Sequence, residues 1–136
     1  MTPVLAVDLG SASGRVLAGT LTDGRLDVTD IHRFKHEARR RQDGTLTWDV
    51  ATMEAETIIG LKKALEQFPD ARSVSIDTWG VDWAPLAENG APVGDVIAYR
   101  DERTSRPLAA FRARLADRDF FDPPGNPPRT SPPATP

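Results

Sequence analysis

The apolar residues of this chain recur with two different periods. Val4-Leu-Ala-Val7 is a short apolar run closed by Asp8, and apolar residues resume at Val16 after Gly10, Ser11, Ser13, Gly14 and Arg15. A run that brief, bounded by turn residues, predicts a buried strand. Arg15 to Thr22 reads as a second strand, followed by an Asp23-Gly24 hairpin turn. In a third strand, Arg25 to about Phe34, Leu26 and Val28 alternate with polar residues, while Ile31 falls out of phase and predicts a bulge. Thr45 to Trp48 reads as a short strand. The period then changes. Val50, Met53, Thr57, Ile58, Leu61, Ala64, Leu65 and Phe68 fall at helical spacing, so a helix from about Val50 to Gln67 is predicted, with one buried face, Asp49 as its N-cap and Pro69-Asp70 ending it. Alternation returns over Ser73 to Asp77. Trp83 to Ala87 and Val93 to Tyr99 flank Asn89-Gly90 and predict a further hairpin. A last helix, about Ser105 to Asp117, accepts Pro107 in its first turn and would turn Leu108, Phe111 and Leu115 inward.

Three strands, a helix and more strands predict a mixed α/β layer, two antiparallel hairpins around a crossover. That order differs from the strand–helix alternation of a dinucleotide-binding fold. At 136 residues, 39% of them hydrophobic, the chain suffices for one core. Seven of its twelve prolines lie in residues 123–136. Proline neither continues a helix nor donates to a sheet, so residues 122–136 are expected to be a disordered tail after a folded part, residues 1–121. A net charge of −3 gives no electrostatic case for nucleic acid or an anionic membrane. With no cysteine and no bilayer-length apolar run, the chain is expected to be soluble and cytoplasmic.

The candidate chemistry sits at two turns. After the first strand, Gly10 and Gly14 supply conformational freedom and close backbone approach, so the bend can aim N–H groups at an anion. Ser11 and Ser13 add hydroxyls, Arg15 adds a guanidinium fork, and Asp8 suits a hydrated Mg²⁺. The same spacing suits an ordinary hairpin bend, and neither a P-loop nor a G-x-G-x-x-G is present. The second turn is Thr78-Trp79-Gly80-Val81-Asp82, flanked by Asp77. It can form an aromatic wall and carboxylate acceptors for a sugar, or bury a structural tryptophan beside capping aspartates. His32, the Arg39-Arg40-Arg41 run and the Arg100, Asp101, Arg103 cluster read as structural or solvated.

Five strings together resemble one family. Asp8-Leu-Gly-Ser-Ala-Ser-Gly-Arg15, Ile31-His-Arg-Phe34, Leu46-Thr-Trp-Asp49, Ile76-Asp-Thr-Trp-Gly-Val-Asp82 and Ile97-Ala-Tyr-Arg-Asp-Glu-Arg-Thr104 are similar, in order and spacing, to the N-terminal part of the FGGY carbohydrate kinases. Within them, the last two strings point to the rhamnulokinases. The resemblance spans about Val4 to Asp119 and implies an actin-like, ribonuclease H-like α/β fold. It also implies ATP-dependent phosphorylation of L-rhamnulose at its 1-hydroxyl, with ATP and Mg²⁺ as cofactors. On it, Ser11, Ala12, Ser13, Gly14 and Arg15 fall on the ATP-phosphate loop, Asp8 on the carboxylate facing Mg²⁺, and Gly80 on a substrate contact. Trp79, Asp82 and Tyr99 should lie near the sugar.

The resemblance places the general base and the adenine pocket in a second domain. No catalytic residue is therefore expected in this chain, and negligible activity is expected from it alone. After Phe121 the likeness gives way to Pro-Pro-Gly-Asn-Pro-Pro, as a frameshift or a truncated gene would produce. A non-catalytic nucleotide- or sugar-binding half domain, an unstable remnant, and the N-terminal part of a xylulose, ribulose, fuculose or glycerol kinase are the competing readings.

Overall fold

The computed structural model describes residues 2–113, so the expected tail and the end of the expected last helix lie outside the described residues. Four strands form the main sheet: β1 (Val4–Leu9), β2 (Ser13–Thr22), β3 (Arg25–Lys35) and β6 (Val74–Thr78), in the order β3-β2-β1-β6. β1 is antiparallel to β2 and parallel to β6. A parallel neighbour needs a crossover, which α1 (Val50–Gln67) supplies. The smaller sheet, β4 (Arg39–Arg40), β5 (Leu46–Trp48) and β7 (Val96–Ile97), has the order β4-β5-β7. A single 3-10 turn, Glu102–Thr104, leads into α2 (Ser105–Arg112).

Local chemistry accounts for most of these boundaries. Asp23 and Gly24 both hold positive φ (51° and 79°), as a two-residue hairpin turn requires. Val16 pairs with His32 and Leu17 with Asp30, so Ile31 is the extra residue of a bulge. The Asp49 side chain accepts the Thr52 N–H at 3.0 Å and caps α1. That bond holds the Asp49 carboxyl below the usual carboxylate range, with Arg39 contributing less.

One core joins Leu5 and Val7 of β1, Val16 and Ala18 of β2, and Ala64 of α1. Gly60 allows the helix to lie close on the sheet. A Cβ there would stand 2.5 Å from Val16 Cγ2 and 3.1 Å from His32 Cβ. A second cluster packs Phe34, Trp48, Met53 and Ala98, with Trp79 and Tyr99 against it.

Three expectations are corrected. The expected hairpin turns at Asn89-Gly90, with Ala87 N–H donating to Ala91 O at 2.9 Å and Val93 N–H to Pro85 O at 2.8 Å, but residues 83–87 form no regular strand beyond the Leu86–Pro92 bridge, because Pro85 and Pro92 offer no N–H and Gly94 turns the chain at φ 81°. The following segment pairs instead with β5, through β7 and an Ala98 N–H donating to Leu46 O at 2.9 Å. Val50, Ile58 and Leu65 of the expected buried helix face are 40–48% exposed, since none of the described residues covers α1 on its β6 side. Phe111, expected to face inward, is exposed.

Candidate functional site

The two turns singled out in the sequence meet at one end of the main sheet. Leu9, the last residue of β1, lies in register with Thr78, the last of β6, and the Trp79 N–H donates to Leu9 O at 3.2 Å. From the other side, His36 N–H donates to Ala12 O in the bend at 3.3 Å. The His36 ring then stacks on Trp79, centroids 5.6 Å apart. Bend and corner are thus joined through one imidazole.

The bend is a tight reversal closed by Gly10 N–H donating to Ser13 O at 2.9 Å. Neither Gly10 nor Gly14 holds positive φ, so the expected conformational role falls away. Gly14 serves close approach alone: a Cβ there would stand 2.2 Å from Phe34 Cζ. Among the described residues, the N–H groups of Ser11 and Ala12 at the tip have no hydrogen-bond partner and remain available to an anion.

Strand alternation sets the carboxylates. Val7 is buried and Leu9 packs on the α1 side, so Asp8 points to the opposite face. Ile76 and Thr78 line the groove on the α1 side, which sends Asp77 to the face of Asp8. Asp8 and Asp77 are parallel register partners and stand side by side. Arg15, the antiparallel partner of Asp8, reaches its Oδ2 with Nε at 2.7 Å and a terminal nitrogen at 2.6 Å. Both groups are about two-fifths exposed, so this pair holds orientation more than stability. Among the described residues no three or more ligand-type side chains converge on one point. Mg²⁺ does not require that: it takes one or two carboxylates and completes its shell with water and phosphate. Asp8 with Asp77 beside it fits that demand.

The corner is fixed by Asp82. Its Oδ2 accepts the Trp48 indole N–H at 2.7 Å and the Trp79 indole N–H at 2.5 Å. The two indoles lie 5.0 Å apart. This carboxylate braces the aromatic wall, leaving Oδ1 as its second acceptor. Gly80 is exposed, and a Cβ there would meet nothing within 4 Å, so the residue leaves open room in front of the wall. Val81 holds φ 75°, a strained conformation for a β-branched residue and one of a kind that concentrates at functional turns. Tyr99 is half-buried against the aromatic cluster, with the Arg100 guanidinium 5.2 Å above its ring.

Asp77, read from the sequence as a flank of the Trp79 turn, needed the parallel register with β1 to be placed beside Asp8. Two participants escaped the sequence reading. Trp48 needed the second sheet. His36 had a local signal, since it falls two residues after Phe34 and shares its side of the chain. Both its ring nitrogens are buried without a partner among the described residues. The Asp101 carboxylate accepts the Leu46 N–H at 2.7 Å and the Arg103 N–H at 2.9 Å, tying the chain after β7 to β5. Those bonds, in that order, lower its pKa.

No protein-family model matches the chain. It is 40% identical over 119 residues to a rhamnulokinase of Enterobacter sp. (strain 638), covering 86% of this chain and 24% of that protein. To a rhamnulokinase of Mannheimia succiniciproducens it is 38% identical over 120 residues, 87% of this chain and 25% of the relative. Among solved structures, xylulose kinase from Rhodospirillum rubrum superposes with a TM-score of 0.69 at 18% identity, over 88% of this chain and 25% of that one. The chain spans about a quarter of the length of these relatives. The mixed sheet described above is the actin-like ATPase fold of FGGY sugar kinases. In sequence and in fold, then, this chain is similar to the N-terminal portion of the rhamnulokinases among the FGGY carbohydrate kinases.

Proposed function

We propose that the chain forms the phosphate-holding, sugar-facing part of an ATP-dependent kinase for L-rhamnulose, acts in the cytoplasm, and turns over negligibly without the rest of a kinase. The observation that carries this reading is the shared position of the Ser11–Ala12 bend and the Trp79–Gly80 corner, bridged by Trp79 N–H to Leu9 O and by His36.

Each residue has a role in that reading. The Ser11 and Ala12 N–H groups and the Ser11 and Ser13 hydroxyls bind phosphate oxygens, and Arg15 holds Asp8 toward them. Asp8, with Asp77 beside it, would hold the hydrated ion. Bound Mg²⁺ with ATP supplies the charge neutralisation on which phosphoryl transfer depends. Trp79, braced by Asp82, forms a wall for the sugar ring, Gly80 leaves room for it, and Tyr99 stands behind. In the reaction the sugar 1-hydroxyl oxygen forms a bond to the γ-phosphorus while the bond to ADP breaks. The hydroxyl proton goes to a base that none of the assigned residues provides, which is why the chain alone is expected to be nearly inactive.

Calorimetric titration tests the reading. Weak binding of Mg-ATP and of L-rhamnulose is expected, the first lost in Asp8→Ala, because half a cleft encloses little of either ligand. Binding of neither would overturn it. Phosphorylation by the chain alone, dependent on Asp8, would refute the inactivity.

A further inference from the structure

The chain carries three lysines, Lys35, Lys62 and Lys63, all of them exposed. Among the described residues, Lys63 is the one whose ammonium has a hydrogen-bond partner: its Nζ lies 3.3 Å from Nδ1 of His32. The other ring nitrogen, Nε2, lies 2.7 Å from Glu56 Oε2. Glu56, Gly60 and Lys63 follow one another at i, i+4 and i+7, so they share one side of α1. The imidazole from β3 sits over Gly60, where a Cβ would stand 3.1 Å from His32 Cβ. Strand, helix and the missing side chain thus line up carboxylate, imidazole and amine in that order. The neighbouring charges of β3 do not interrupt the row, since Arg33 pairs with Asp30 at 2.6 Å.

The partners fix the direction of the row. A carboxylate only accepts, so Nε2 carries the imidazole proton toward Glu56 and Nδ1 turns its lone pair to Lys63. The His32 side chain is 15% exposed and that of Glu56 34%, while Lys63 faces solvent. A sheltered base therefore meets an accessible nitrogen, as in sites where an imidazole oriented by a third group takes the proton of an attacking nucleophile.

We propose that Lys63 is a site of covalent acylation by small activated acyl donors, acyl phosphates or acyl thioesters, with His32 as the base and Glu56 holding it. The Lys63 ammonium first gives one proton to solvent. Its nitrogen lone pair then forms a bond to the acyl carbon, and Nδ1 accepts the second proton that this nitrogen sheds. The bond from the acyl carbon to the phosphate oxygen or thioester sulfur breaks, and the leaving group departs with the bonding pair. The imidazolium, paired with the Glu56 carboxylate, returns its proton to solvent. The product is a neutral amide, so the positive charge of Lys63 is lost and its contact with His32 is broken. None of the residues of the bend or the corner takes part, and the inference stands apart from the kinase reading.

The test incubates the full chain with acetyl phosphate, and separately with acetyl-CoA, at about pH 8, where more lysine is present as free amine than at neutral pH. Peptide mass spectrometry follows acetylation at all three lysines, with Lys35 and Lys62 as references within the same molecule. Lys63 is expected to react about tenfold faster than Lys62 with at least one donor, and the donor that works identifies the leaving group. His32→Gln should bring the rate at Lys63 down to that of Lys62, with Lys35, Lys62 and the circular-dichroism spectrum unchanged. Glu56→Gln should slow Lys63 without touching Lys62, and it decides the matter if His32→Gln fails to fold. Equal rates at Lys62 and Lys63 with both donors would overturn the proposal. So would a Lys63 rate that neither variant alters, because the contact would then do no more than pin α1 to β3.

Discussion

Val16, Val7 and Ile76 lie in one row across β2, β1 and β6, each in register with the next and all on the α1 side of the sheet. Their exposures are 0%, 1% and 59%. The chemistry of the three side chains is nearly the same; what differs is the cover. Gly60 brings α1 down onto Val16, and the helix stops short of β6. Burial along a strand row is therefore set by the layer above it, and the apolar residues of β6 mark a layer that the described residues do not supply.

Mutations on the two sides of that line should separate sharply. Val16→Ala removes methyl groups from a closed core and is expected to cost about 2 kcal/mol or more in a urea titration. Ile76→Ala should stay within about 0.5 kcal/mol. Equal costs would mean that β6 is covered in solution. Gly60→Ala puts a methyl against Val16 and is expected to destabilise by roughly 1–3 kcal/mol, the gain in helix propensity notwithstanding. A more stable Gly60→Ala would show that α1 sits farther from the sheet than the 2.5 Å approach to Val16 implies.

The corner allows a smaller contrast. Asp82→Ala leaves two indole N–H groups without their acceptor, a loss of about 1–3 kcal/mol read from thermal melts. Gly80→Ala has no neighbour to strike and no positive φ to strain, so melting should stay unchanged while L-rhamnulose binding weakens. Unchanged sugar binding would remove Gly80 from the site.

The smallest effect is acid-dependent. The Leu46 and Arg103 N–H groups lower the folded-state pKa of Asp101, and the Thr52 N–H lowers that of Asp49. A depressed carboxylate pKa stabilises the fold above the unfolded value, near 4, and the benefit is lost as pH falls through the folded value. Stability should hold from pH 7 to about 5 and decline below 4. Asp101→Asn should make that decline shallower, and an unchanged slope would show that the bond to β5 contributes nothing.

Local signals carried much of this architecture. The Asp23-Gly24 turn, the Ile31 bulge, the Asp49 cap and the span of α1 all follow from short-range chemistry, and each stands where the residues place it. The misreadings share a cause. Whether Ile58 is buried and which partner Val96 finds depend on contacts distant in sequence, which periodicity does not encode. The site follows the same rule. The Asp8 bend and the Trp79–Gly80 corner were legible as motifs, but the placing of Asp77 beside Asp8 required the parallel pairing of β1 with β6. Likewise, Trp48 enters only when the second sheet folds against the first, and His36 joins the site only when the Trp79 corner meets the Ala12 bend.

Backbone amide shifts in a labelled sample of the chain, titrated first with Mg-ATP and then with L-rhamnulose, test the central claim most directly. The account predicts that the nucleotide moves the amides of Ser11, Ala12 and Ser13, and that the sugar moves those of Trp79, Gly80 and Val81. Shifts confined to other surfaces, or none at concentrations well into the millimolar range, would contradict it.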